Sequence, residues 1–576
     1  MKKNYIHHGF MQYMAIICLY CGTIPMFSQQ RTESQALEIA AKYLHGLGIS
    51  NTGHLECASR KSNRLHKTGQ YPFFIINDRD NSSFVIVSGD ERMEKVLGFA
   101  RNSTYSETSV PDGLKWLLNE YQAQYDYIRN LGNYADEATM PGQKYNEVEP
   151  LIKTNWAQGF PFNKYCPIIN GSSTLTGCLA TSMAQVMNYY QYPKCGKDSI
   201  SFYTHTDSVN LKCNFTDSIY YDWTHMINDY GNRYTDLQAN AVANLMYACG
   251  TSLGMDYGNL FSSAFYTDIP YALVHFFGYA TCATYCNRNY YRQDEWMDML
   301  HEELDNGRPI LYSGQDEDDG GHSFIIDGVI YDTYFHINWG WGGYCDGYYM
   351  IDALQPEYEF DYKYDQTAIV RISPTMTGTT QYVFYANNFE PLGDRTVRFS
   401  SQNKVTLQLN NVYNYSQICT SVLNNKYFSG YFGLAIFRKG KLVKTFCKYN
   451  ITSNNWMAMN WGYRQFQYVF GANEVTINRG DTCSIKPVII KGNTVTPIRT
   501  YNYGETDSII VTRPTTLELQ FYTAKEFEQA TAIPAITSSR QRYIQKGIYT
   551  IDGNKITFPQ RGINIIDGRK VWNGIQ

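Results

Sequence analysis

Cys178, His322 and Asn338 are the side chains on which a reaction can be built. Cys178 follows Gly177 and opens a run in which Leu179, Met183, Val186, Met187 and Tyr190 recur at helical spacing, until Pro193 stops it. A thiol in the first turn of a helix faces unpaired N–H groups and the positive end of the helix dipole. That environment favours the thiolate, which is the nucleophile. Taken alone, a cysteine at a helix start is more often an inert core residue. The rest of the chain changes that balance. His322 follows Gly320-Gly321 and leads the β-rich run Ser323–Ile330, and Asn338 ends the run Phe335–Asn338. The two runs read as a hairpin around Tyr331–Tyr334 whose strands present both side chains at one end. Acyl transfer by a thiolate needs an imidazole to hold the proton, a group to orient the imidazole, and donors for the oxyanion. Gln158, upstream of the cysteine, has the amide N–H needed for the last role. Trp339 and Trp341 can shield a His–Asn hydrogen bond from water. Asp327 is a second candidate for orienting a histidine, but Asp-Gly beside a strand predicts a turn or bulge.

The order of cysteine on a helix, histidine on a strand and asparagine on its neighbour is that of papain-like folds. Thr176-Gly-Cys-Leu-Ala-Thr-Ser-Met-Ala-Gln185, the Gly320–Gly328 run and Asn338-Trp-Gly-Trp-Gly-Gly343 together resemble the streptopain (C10-type) family of cysteine peptidases. The resemblance implies Cys178 as nucleophile, His322 as base, Gln158 as oxyanion donor, and Asn338 with Trp339 as the supporting pair. Through the Met255-Asp-Tyr-Gly258 motif it also implies Ser263, together with Gly321, at the substrate site. Phe84–Asp90 resembles the family's prosegment, and the likeness spans residues 30–372. The acidic run Gln315–Asp319 departs from the family; it reads as a solvated loop, and close to the site it would hold His322 more protonated.

Several elements must position these residues. At 576 residues the chain is too long for one core, and a prior of about 150 residues per domain predicts three or four. The expected class is multidomain α+β. Residues 1–28, with Lys2, Lys3 and the apolar run Met11–Phe27, read as a signal peptide, and no stable membrane span is expected. Residues 29–141 read as an α+β inhibitory prodomain with its own core: a capping box at Thr32–Gln35, strands Tyr71–Ile76 and Ser83–Ser88, and a helix through Leu114–Leu131. Residues 132–150 read as an exposed linker open to cleavage. Residues 142–373 form the papain-like peptidase domain, with a further helix through Leu237–Ala248. Residues 374–530 read as an immunoglobulin-like β-sandwich accessory domain. In 531–576, Gly547–Ile556 returns as Gly562–Val571, each copy an Asp-Gly hairpin. This β-rich tail resembles a type IX (Por) secretion sorting domain.

The net charge of −4 gives no reason to expect nucleic acid as a partner. The fourteen cysteines show no zinc or disulfide framework, so no metal or cofactor is expected and most are free thiols. The expectation is a cysteine endopeptidase, secreted or on the outer cell surface and made as a zymogen. Its partners would be protein or peptide substrates, its own prodomain as intramolecular inhibitor, and a secretion machinery. Alternatives are a transglutaminase or peptidoglycan amidase using the same site, and a surface adhesin acting through the β-domain.

Overall fold

A computed structural model of the chain describes residues 30–49, 53–58, 71–131, 144–216, 221–231, 233–316, 320–352, 366–416, 428–452, 462–501, 508–531, 548–550, 555–556, 562–566 and 569–573. The signal-peptide reading, residues 132–143 of the expected linker, acidic residues 317–319 and the two Asp-Gly turns of the tail lie outside them.

Helix α1 (Glu33–Gly46) starts at the capping box that Thr32 and Gln35 predict, and buries Ala36, Ala40 and Leu44. Strands β1 (Leu55–Cys57), β2 (Phe73–Asp78), β3 (Ser83–Ser88) and β4 (Val96–Ala100) follow, then helix α2 (Asp112–Leu131). The nucleophile helix α3 spans Cys178–Tyr190, and α4 spans Asp236–Ser252 behind its own Thr235–Gln238 capping box. After β5 (Thr284–Asn287) and α5 (Gln293–Asp305) come β6 (Ile310–Asp316), β7 (Gly320–Ile330), β8 (Tyr334–Asn338), β9 (Gly347–Met350) and β10 (Gln366–Val370).

These ten strands form one sheet, in the order β1-β2-β3-β4-β9-β8-β7-β6-β10-β5. The prodomain therefore does not have a core of its own. Its strand β4 pairs antiparallel with β9 of the peptidase segment, Tyr348 opposite Phe99 and Tyr349 opposite Gly98. Close approach depends on two glycines: a Cβ on Gly98 would lie 2.4 Å from the Tyr349 ring, and one on Gly347 would lie 2.4 Å from the Phe99 carbonyl. Beneath the joint, Tyr121 Oη donates to the Leu97 and Met350 carbonyls (2.8 and 2.5 Å). One face of the sheet packs on α1 and α2 in a core shared by residues from both segments, including Phe84, Tyr121, Phe324 and Trp339. The other face packs on α3 and α4 through Ile325, Leu311 and Ile369.

The later half of the expected linker is held rather than open. Val148 pairs with Val329, the Leu151 N–H donates to the Asp327 carbonyl (2.9 Å), and the Tyr145 ring stacks on His301 at 3.7 Å. Asp332, in a left-handed turn, accepts the Tyr145 backbone N–H at 3.0 Å.

Residues 384–523 form two facing sheets over a common core that includes Leu407, Phe432, Ile485 and Phe521. One side chain of this segment, Tyr385, is buried in the peptidase core, stacked on Tyr290 at 4.1 Å. The tail is a unit in its own right. Its strands 555–556, 548–550, 562–566 and 569–573 lie in that order, so each repeat gives a hairpin and the two hairpins pair with each other. All eleven cysteines among the described residues are free thiols, and no described helix is long and apolar enough to cross a membrane.

Candidate active site

Helix α3 is buried on every side from Leu179 to Met187, so its start is fixed by the core rather than by a side-chain cap. Gly177 precedes it at φ 86°, where a Cβ would meet the Met255 side chain at 2.9 Å. Cys178 is half-buried at the helix mouth, and its Sγ accepts the Ser323 backbone N–H at 3.4 Å. Four residues on, Ser182 Oγ meets Ser323 Oγ at 2.9 Å. The thiol is thus held against the strand residue that follows His322. Burial raises its pKa, and the prodomain carboxylate of Asp112 adds to the rise. The Ser323, Leu179 and Cys178 backbone N–H groups oppose this without overcoming it.

His322 is half-buried and pairs with Gly314 across β6–β7. Paired residues share a face of the sheet. A Cβ on Gly314 would lie 2.0 Å from the Trp116 ring, so that face is the one covered by α2 of the prodomain. Phe324, two residues further, sits on the same side, 5.9 Å from Trp116. A Cβ on Gly113 would reach the Trp339 ring at 2.6 Å. The first turn of α2 therefore lies over the strand ends that carry His322 and Trp339.

Asn338 lies at the end of β8, beside the Trp339 turn. It pairs with Ile325 and shares the opposite face of the sheet, toward α3. Its Nδ2 donates to the Thr154 carbonyl (2.9 Å), while its Oδ1 accepts from Gln185 Nε2 (3.1 Å) and the Gly340 N–H (3.0 Å). The cause is a one-residue bulge at Asp327. Register on one side of it pairs Gly328 with His336, and on the other pairs Ile326 with Ile337. An unbroken ladder would set Asn338 opposite Ile326, on the face of His322; the bulge reverses that parity.

Trp339 packs against Phe324 and Tyr349, its Nε1 donating to the Cys345 carbonyl at 3.0 Å. Trp341 is half-buried in the glycine turn that follows. Gln158 is half-buried; its carbonyl accepts the Thr176 N–H at 3.2 Å, tying it beside the Gly177–Cys178 link, and its side-chain amide has no hydrogen bond among the described residues. Ser263 is exposed, doubly hydrogen-bonded through its backbone to Asp256 (2.8 and 3.0 Å). Its neighbour Ser262 clamps that loop to the nucleophile segment, Oγ donating to the Leu175 carbonyl at 2.7 Å. Gly321 is exposed, and a Cβ there would meet nothing closer than 3.7 Å. Packing does not require its missing side chain.

Two groupings of residues are not apparent from the sequence pattern. The first is the opening turn of α2, Asp112 to Trp116, which the sequence marks only as the start of a helix. The second is an ionisable cluster under the Trp339 turn. Asp327 does orient a histidine, but it is His336, through Nδ1 at 2.6 Å; its other oxygen accepts the Ile152 N–H at 2.8 Å. Burial works against His336 protonation, but the contact with Asp327, helped by Asp346, leaves its pKa raised. Asp346 accepts the Trp339 N–H at 2.9 Å, and burial pushes its pKa up to about 7. The described residues contain no cluster of ligands suited to a metal ion.

A core helix here presents a thiol to a histidine-bearing strand, and the chain is a cysteine peptidase. It belongs to the peptidase C10 family, whose model matches residues 156–349, while residues 28–125 match the Spi protease inhibitor family. Streptopain of Streptococcus pyogenes is 29% identical over 360 residues, 58% of this chain and 88% of that protein. The thiol protease/hemagglutinin PrtT of Porphyromonas gingivalis is 27% identical over 385 residues, 63% of this chain and 43% of its own. A solved fragment of Prevotella intermedia prointerpain A shares 32% identity over 53% of this chain and 96% of its own, with a TM-score of 0.47. Active interpain A from the same organism shares 36% identity over 40% of this chain and 98% of its own, TM-score 0.36. The protein is a cysteine peptidase that carries its own inhibitor-like prodomain.

Proposed function

We propose that Cys178 is the nucleophile and His322 the base of a secreted endopeptidase made as a zymogen, with Gln158 donating to the oxyanion. The thiolate attacks the scissile carbonyl, the C–N bond breaks, and the proton held by the imidazole goes to the leaving amine. Water then hydrolyses the thioester, its proton returning through the imidazole. The single observation that carries this is the Ser323 N–H on Cys178 Sγ, which ties the thiol to the residue next to His322. Asn338 and Trp339 support the site by fixing the turn at the end of β8. Ser263 and Gly321 line the substrate cleft, a reading supported by their exposure and by the Ser262 clamp beside Cys178.

Residues 29–141 act as the intramolecular inhibitor of the 142–373 peptidase domain. The support is the first turn of α2, with Trp116 over the His322 face and Gly113 over Trp339. Residues 374–530 form an immunoglobulin-like accessory domain. Residues 1–28 and 531–576 direct export through a secretion machinery, and the enzyme works on protein substrates outside the cell or at its outer surface. Replacing Cys178 with Ala should lower the peptidase rate by about 10⁶-fold. Casein hydrolysis that survives this change would remove the assignment.

A further inference from the structure

Helix α3 carries a polar stripe through an otherwise apolar core. Cys178, Thr181, Ser182 and Gln185 stand at i, i+3, i+4 and i+7, one face over about two turns. Each of the three that follow the cysteine bonds a different part of the site. Thr181 Oγ1 holds the approach to the nucleophile, meeting Thr176 Oγ1 at 2.8 Å and the Gly177 carbonyl at 3.0 Å. Ser182 holds the histidine strand through Ser323. Gln185, fully buried, holds two elements at once. Its Oε1 accepts from Thr154 Oγ1 (2.8 Å), the Trp156 N–H (3.4 Å) and Asn338 Nδ2 (3.4 Å), and its Nε2 donates to Asn338 Oδ1 (3.1 Å). Backbone groups fix both amide orientations: the Gly340 N–H requires Asn338 Oδ1 where it is, and the Trp156 N–H requires Gln185 Oε1.

A buried amide costs desolvation that a leucine or methionine here would avoid, so packing alone does not account for Gln185. The bonds describe one. The segment Thr154–Trp156 leads within two residues to Gln158, and the Trp156 carbonyl accepts the Gly342 N–H at 3.1 Å, joining it to the same glycine turn that Asn338 anchors. We infer that Gln185 is the positioning residue that sets the oxyanion segment and the Asn338–Trp339 turn in register with the nucleophile helix. This rests on the reading of Cys178 and Gln158 given above. It assigns Asn338 its use: the amide partner of Gln185.

The test is a double-mutant cycle in the processed enzyme, with active thiols titrated by an epoxide inhibitor so that turnover is counted per site. Gln185→Met keeps the volume and removes every hydrogen bond. Its kcat should fall about tenfold to a hundredfold, with KM within about threefold, because misplacing a transition-state donor affects turnover more than binding. Combined with Gln158→Ala, it should cost no more than about threefold beyond Gln158→Ala alone, since both changes act on the same donor. Thr154→Val, which cuts the bond from the other side, should lower kcat in the same non-additive way, and it carries the test where Gln185→Met fails to fold. Wild-type turnover in these variants, a loss confined to KM, or losses that multiply fully with Gln158→Ala would overturn the inference while leaving Cys178 as nucleophile untouched. Unchanged turnover of Gln158→Ala by itself would instead remove the oxyanion reading, and this inference with it.

Discussion

Ionisation and architecture are coupled one layer below the proposed catalytic residues. Asp346 holds the Trp339 N–H while sharing its pocket with Asp327 and His336. Its folded pKa of about 7 lies above the ordinary value near 3.9, so the folded state binds this proton more tightly than the unfolded chain does. The associated stability is full below about pH 4 and is lost as pH rises through about 7. Asp346→Asn keeps an acceptor for the Trp339 N–H without the ionisation. It should leave stability unchanged near pH 4 and raise it by about 1–3 kcal/mol at pH 8, read as a shift in urea midpoint. Destabilisation at pH 8 would show instead that the carboxylate charge is needed beside His336. Residue types alone do not show this: Asp327 reads as a candidate partner for a histidine, and the bulge at its position hands it His336.

At the scale of elements, the helices and hairpins that local periodicity and caps specify formed where their residues predict. The Thr32 and Thr235 capping boxes, the buried α3 and the 320–338 hairpin are such cases. What local pattern does not encode is which strand meets which across the chain. The β4–β9 joint depends on glycines facing large side chains more than two hundred residues away, and the bulge that reverses face parity is a single residue. Asp112, in the first turn of α2, adds to the rise in the Cys178 pKa. Removing the prodomain takes away that carboxylate and part of the burial, both of which favour the neutral thiol. The pH midpoint for alkylation of Cys178 by iodoacetamide should therefore be lower in the processed enzyme than in the zymogen, and Asp112→Asn in the zymogen should move it in the same direction. Identical midpoints in all three would mean that α2 acts on the cleft by obstruction alone.

Across the whole molecule, the β-sandwich is tied into the peptidase rather than strung behind it. Tyr385 stacks on Tyr290 inside the peptidase core, and its Oη accepts the Asn287 N–H at 3.3 Å. The Arg499 guanidinium lies 4.1 Å over the Tyr291 ring and pairs with Glu295. Tyr385→Ala should accordingly destabilise the peptidase segment by about 3–5 kcal/mol, the range for losing a buried aromatic. Loss of stability confined to the sandwich, followed by limited proteolysis, would contradict this. The sequence marks 374 as a boundary because composition changes there; contacts that cross a boundary leave no mark on composition. The central claim is that one thiol among many does the chemistry once the prodomain is gone. Its most direct test is to treat the processed protein with a thiol-directed epoxide and locate the adduct by peptide mass analysis. A single adduct on Cys178, formed with loss of activity and absent from the zymogen, is the predicted result. An adduct on any other cysteine that abolishes activity, with Cys178 unmodified, would contradict it.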